Sequence, residues 1–203
     1  MRRCLRGPAP DLLAKHGPEI GATYARQRRD NSKHRFQWPR RDGQSLYVVV
    51  RAALIEMTAH HCSYCDGFPL NATGNDEIDH FHPKSREEFY ELVCAWDNLF
   101  LICVRCNKAK RDRWEPALLR PDAVDYAFDR YFVFRFDSGA LEPAPGITEG
   151  DRHRVLQTIE ILELNRSDIC FARLTAVKAI QRRLSNDELA DVPYRFLIPL
   201  VVA

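Results

Sequence analysis

The hydrophobic positions of this chain change period along its length. In "SLYVVVRAALIEMTAHH" (Ser45 to His61) they read as a helix with Ser45 as candidate cap, although "YVVV" also allows a strand start. "YFVFRFDSGALEP" (Tyr131 to Pro143) alternates aromatic and other residues around a Ser-Gly turn, the pattern of a hairpin. After "PAPG" the helical period takes over. "TEGD" (Thr148 to Asp151) resembles a capping box with Asp at its last position, and Val155, Ile159 and Leu162 follow on one face. A break at "NRSD" leads to Cys170, Leu174, Val177, Ile180 and Leu184 at spacings of three and four. The simplest arrangement is a C-terminal helical hairpin packed on the rest, with no chemistry of its own. Residues 1–44 read as an N-terminal arm, because Pro8, Pro10, Gly17, Pro18, Gly21 and Pro39 interrupt any long element. The expected organisation is therefore an arm (1–44), a motif-bearing core (45–115), and a hairpin plus helical region (116–203).

Composition narrows the class. The 203 residues are 45% apolar and 29% charged, which describes one folded domain with or without an appendage. The longest apolar runs, "LYVVV" and "FLIPLVVA", are too short to cross a bilayer, so no membrane partner is expected. The opening "MRRCLRGPAP" lacks the apolar centre of a secretion signal, which makes the cytoplasm the expected location. Cysteines stay reduced there, and seven of them point to metal before disulfides. A net charge of +2 says little, but basic residues gather at Arg26–Arg41 and at Arg105–Arg113. The first run reads equally as a solvated face or, through Phe36 and Trp38, as part of the core. The second lies on the cysteine motif.

That motif is a pair of CxxC units, "CSYC" (Cys62, Cys65) and "CVRC" (Cys103, Cys106), with 37 residues between them. Each tight turn brings two sulfurs to one side, and two turns supply four thiolates for a tetrahedral structural zinc. Gly67 and Asn107 follow the two pairs as knuckle turns would require. His60 and His61 are possible substitute ligands. No βαβ pattern surrounds either pair, so a thioredoxin-like redox reading fails, and Cys4, Cys94 and Cys170 have no CxxC partner. The long intervening loop should carry structure of its own.

Inside it stands "EIDHFHPKS" (Glu77 to Ser85), followed by "WDNLFLICVRCNKAK". Asp-His on a short strand, Asn in a second strand, and CxxC-Asn opening a basic helix resemble the HNH nucleases with a zinc-stabilised ββα-metal core. Together with "MRRCLRGPAP", "DHFHPKSR" and "TIEILELN", these pieces are similar to the HNH nuclease subunit of Septu and retron-associated anti-phage systems. That family often reads Glu-His where this chain has Asp79-His80. The resemblance implies an α+β fold and a cytoplasmic defence nuclease working with an ATPase of the ABC or SMC-like type.

Phosphodiester hydrolysis needs an activated water, a cation on the scissile phosphate, and relief of charge on the leaving oxygen. A histidine can accept the water's proton near neutral pH. The resemblance implies that His80 is this base and that Asp79 meets the catalytic cation. Asn107 can offer its carbonyl oxygen as a second ligand, which suits magnesium or another divalent cation. Asn98 fills the middle position of the motif and is expected to hold the His80 loop. His82, two residues on, is the rival base, and motif position favours His80. Lys84, Lys108, Lys110 and Arg111 are the candidate contacts to nucleic-acid phosphates. DNA is the favoured substrate, with RNA chemically accessible. A non-catalytic zinc-stabilised nucleic-acid-binding module is the competing reading, but it gives no reason for Asp79, His80 and Asn107 together.

Overall fold

The computed structural model describes residues 1–70, 76–182, 189 and 191–202. Its first element corrects the expectation of an arm without a long element. Helix α1 runs through Asp11–Asp30, with Gly17, Pro18 and Gly21 inside it. The buried residues Leu13, Gly17, Ile20, Gly21 and Tyr24 share one side of the helix, and α1 packs on the 3₁₀ segment Glu87–Cys94. A methyl group on Gly17 would come within 2.9 Å of the Cys94 carbonyl oxygen, and one on Gly21 would overlap the Glu91 carbonyl. These glycines therefore serve close packing of backbone on backbone.

Strands β1 (Arg40–Arg41) and β2 (Gln44–Ser45) form a small hairpin around Asp42 and Gly43, whose positive φ values of 49° and 77° suit a two-residue turn. Helix α2 follows directly at Leu46–Thr58, so "YVVV" is helical. Ser45 occupies the cap position but makes no side-chain capping bond. Leu46, Val50, Leu54 and Thr58, four residues apart, are buried.

The centre of the molecule is antiparallel: β3 (Asp76–His80) pairs with β4 (Leu99–Cys103), from Asp76 opposite Cys103 to His80 opposite Leu99. Leu99, Phe100, Leu101 and Ile102 are all fully buried, so β4 is core on both faces. Helix α3 (Val104–Lys110) starts as β4 ends, which completes a ββα unit.

The C-terminal region holds α4 (Phe128–Tyr131), β5 (Phe132–Phe134), β6 (Leu141–Pro143), α5 (Glu149–Ile161) and α6 (Ser167–Arg182). The expected hairpin is β5 with β6, Phe132 opposite Pro143, and Gly139 in its turn has a φ of 75°. Thr148 caps α5 by accepting a hydrogen bond from Asp151 N at 3.1 Å. The "NRSD" break also fastens the two halves of this region. Asn165 Oδ1 accepts from Leu141 N and its Nδ2 donates to Leu141 O, both at 2.8 Å. Leu184, assigned to the second helix above, lies outside the described residues. One apolar core runs from Leu13 of α1 through β4 to Val155 and Ile180. Among the described residues no helix is long and apolar enough to cross a membrane.

Candidate functional site

The four CxxC cysteines arrive on two turns. In the first, Asp66 rather than Gly67 takes the left-handed conformation, with a φ of 61°. Asp66 N donates to Cys62 O at 2.8 Å, and Gly67 N lies 3.4 Å from Cys65 Sγ. Asp66 is held in turn by Arg195 at 2.8 Å and, through its carbonyl, by Tyr194 N at 2.7 Å. In the second turn Cys103 caps α3, its Sγ accepting from Cys106 N at 3.5 Å, while Cys103 N points at Cys62 Sγ, 3.3 Å away. All four sulfurs lie within 4.8 Å of one another, and Cys65 and Cys103 are 3.8 Å apart. Sulfurs placed tetrahedrally at ~2.3 Å from an ion are ~3.8 Å apart, so the cluster fits a metal tetrathiolate. Hydrogen bonds from the other three thiols pull Cys103 far down. Those same contacts push Cys106 up, and burial pushes Cys62 up. His61 is not a ligand: its ring nitrogens face the carbonyls of Ala59 and Val192.

His80 ends β3. Its Nε2 is 3.0 Å from the Val93 carbonyl, which can only accept, so Nε2 carries the proton and Nδ1 the lone pair. Nδ1 is buried and has no partner among the described residues. Phe36 meets the ring edge-on at 6.0 Å, and Trp38 stacks on it at 6.3 Å. Burial, reinforced by Lys84, lowers the His80 pKa to about 3. The result is a neutral imidazole of fixed tautomer with its lone pair on Nδ1, whose burial opposes protonation. It lines a cavity of about 760 Å³ together with Glu77, Asp79, Lys84, Asn107 and Arg111.

Asp79 is only 5% exposed, and both its oxygens are engaged. Tyr64, inside the first CxxC unit, donates to Oδ2 at 2.6 Å. Lys110 donates to Oδ1 at 3.2 Å and also to the His80 carbonyl at 2.8 Å. Burial pushes the Asp79 carboxyl up, against the pull of Lys110 and Tyr64. Glu77 is the residue that sequence reasoning missed. It stands two positions before Asp79, hence on the same strand face, and it accepts a hydrogen bond from Asn107 Nδ2. That period-two relation was visible in "EIDH". Glu77 and Asn107 bring two oxygen donors of the kind a hard divalent cation takes.

The remaining expected residues divide. Asn98 is buried; its Oδ1 accepts from His82 N at 2.7 Å, and its Nδ2 donates to the carbonyls of His82 at 3.2 Å and Leu92 at 3.0 Å. It thereby ties the loop after β3 to the segment whose Val93 holds His80. His82 is not in the cavity. It packs among Phe81, Phe89 and Trp114, with Nδ1 3.1 Å from Asn98 Oδ1. Lys84 and Arg111 line the cavity, whereas exposed Lys108 lines a separate groove beside Cys65 and Cys103. Lys110 requires a correction. Its side chain is fully buried in the ion pair with Asp79, at 3.1 Å, and presents nothing to a phosphate.

Comparison with known proteins agrees with this geometry. Residues 62–113 match the family described as HNH endonuclease. The chain is 25% identical to the "Septu protein PtuB" of Bacillus mycoides (strain KBAB4), over 65% of this chain and 52% of that protein. It is 27% identical to the "Septu protein PtuB" of Bacillus thuringiensis, over 63% of this chain and 46% of that protein. The chain thus spans about half the length of the curated relatives it matches. Through residues 62–113, which hold the ββα unit, the four cysteines and His80, it is similar to the HNH endonucleases, and over a longer stretch it is similar to Septu protein PtuB.

Proposed function

We propose that this protein is a metal-dependent endonuclease that hydrolyses nucleic-acid phosphodiester bonds, DNA before RNA. In this reading it is the cytoplasmic effector of an anti-phage defence system and works with a partner ATPase. The HNH domain supports the reaction class, and similarity to proteins named for Septu supports the setting. The observation that carries the reading is His80: a neutral imidazole, its Nε2–H fixed on Val93 O, its Nδ1 buried and unpartnered, on a residue that lines one cavity with Glu77 and Asn107. In this account Nδ1 takes the proton of the attacking water, and the Val93 carbonyl steadies the imidazolium that forms. A divalent cation such as magnesium, held by Asn107 and Glu77 with Asp79 behind them, would neutralise charge on the scissile phosphate and the leaving oxygen. Both Asp79 oxygens already accept hydrogen bonds, so we assign Asp79 first to positioning the end of β3 and Glu77 to the cation.

The four cysteines would hold zinc, whose role is mechanical: it fixes the turn before β3 against the β4–α3 junction. Tyr64 links this clamp to the site, since it sits between Cys62 and Cys65 and bonds Asp79. A binding module without catalysis would leave the unpartnered imidazole without a use. The test is incubation of purified protein with plasmid DNA and with total RNA, with and without the product of the adjacent gene, in magnesium. DNA cleavage that stops when the cation is chelated is expected. Intact DNA and RNA under every condition would contradict the proposal.

A further inference from the structure

The wall of the His80 cavity facing β3 and α3 comes from the end of α1 and the segment after it, including Arg28, Lys33 and Arg35. Its backbone is built rather than loose. Asn31 Oδ1 accepts from Lys33 N at 3.0 Å, Asn31 O accepts from His34 N at 2.8 Å, and Arg28 Nη1 donates to His34 O at 3.2 Å. Phe36 then joins Tyr24 edge-on at 5.6 Å and His80 at 6.0 Å, which anchors the segment on the imidazole itself. Tyr24 also donates to the Lys84 carbonyl at 2.9 Å, so the two banks of the cavity are tied together.

The charges on this wall are uncompensated. Lys33 and Arg35 are exposed, and among the described residues neither side chain makes an ion pair or a hydrogen bond. Arg29, on the same helix but outside the cavity lining, is instead paired with Glu87 at 3.5 Å and Glu91 at 3.8 Å. On the opposite bank Lys84 and Arg111 likewise have no carboxylate partner among the described residues. The carboxylates in the lining are Glu77, bound to Asn107, the buried Asp79, and Asp112. Cations on both sides of an imidazole, none of them ion-paired with the carboxylates of the lining among the described residues, suit a polyanion laid between them.

We propose that Lys33 and Arg35 are phosphate contacts of the bound nucleic-acid strand and oppose Lys84 and Arg111 across the cavity. This rests on the reading of the site as a nuclease centre. It gives the basic run at Arg26–Arg41 a function, and it replaces Lys110 as a source of phosphate contacts.

The test uses the wild-type protein in buffer free of divalent cations, so that binding is read without cleavage and the contact of Phe36 with His80 is kept. Its affinity for a short fluorescent DNA duplex is measured across a series of salt concentrations. The Lys33→Ala/Arg35→Ala pair is then added and compared with a charge-matched control, Arg152→Ala/Lys178→Ala, on exposed positions of α5 and α6. Losing two contacts should lower the log–log salt slope by about 1.8 and weaken binding about tenfold or more at low salt. The control should leave the slope unchanged, and neither pair should change the melting temperature. A slope equal to that of the control, or no duplex binding by the parent at low salt, would overturn the proposal. Failure of the nuclease reading looks different: duplex bound with the expected slopes, yet never cut by the wild-type protein.

Discussion

Asp79 and Lys110 meet as an ion pair where there is little water to spare. They are 5% and 0% exposed and 3.1 Å apart. Removing one member of such a pair leaves the other unmatched, at a cost of about 3–5 kcal/mol. Lys110→Met should therefore lower stability by that order in a denaturant titration, and cleavage should fall with it, because Lys110 also holds the His80 carbonyl. Melting like wild type would return Lys110 to the role of a surface contact. His82→Ala should separate the two effects, retaining cleavage far better than His80→Ala while losing stability from the cluster with Phe89 and Trp114. An inactive His82→Ala protein that still folds would mean the base is misassigned. The positions of His80, Asn98 and Asn107 were legible because "DH", "N" and "CN" are ordered along one motif. The burial of Lys110 was not. "NKAK" gives no sign that Lys108 points outward and Lys110 inward; the short α3 packed on β3 decides it.

Among the elements, α1 departs furthest from its sequence. Glycine and proline usually punctuate, and Gly17, Pro18 and Gly21 in five residues read as a broken arm. The same smallness lets α1 lie on the backbone of Glu87–Cys94, and only tertiary contact can distinguish the two uses. Gly21→Ala makes the distinction measurable. In a free helix the change stabilises by about 1 kcal/mol. Here the new methyl meets the Glu91 carbonyl, which has no rotamer to move, so a net loss of about 1–3 kcal/mol is expected in chemical denaturation. Cleavage should weaken too, because Glu87–Cys94 carries the Val93 carbonyl that fixes His80. A stabilised, fully active Gly21→Ala protein would contradict this packing. The ββα unit was legible through the resemblance its motif carries, and the β5–β6 hairpin and the later helices because their periods are local. The links between them, such as Asn165 to Leu141, depend on partners 24 residues apart and left no local trace.

At the scale of the whole molecule, the account separates a metal that holds the fold from residues that do chemistry. The four-cysteine cluster should retain about one tightly bound zinc per chain through purification, as a closed tetrathiolate site does. Cys65→Ser or Cys106→Ser should lower solubility and melting temperature sharply, since structural zinc contributes ~10–16 kcal/mol in small folds. Freshly purified, chelator-free protein without zinc by elemental analysis would contradict that role. His80 uses none of these ligands, so its replacement removes the proton acceptor and leaves the four-cysteine site intact. The most direct measurement is therefore a cleavage assay of His80→Ala against wild type, in magnesium and with the adjacent gene product present, with zinc content and melting temperature recorded on the same samples. Cleavage is expected to fall by about 10²–10⁴-fold while zinc stays at the wild-type value and the protein still folds cooperatively, its melting temperature lowered only by the lost Val93 hydrogen bond and ring contacts. A folded, zinc-loaded His80→Ala protein that cuts as fast as wild type would contradict it.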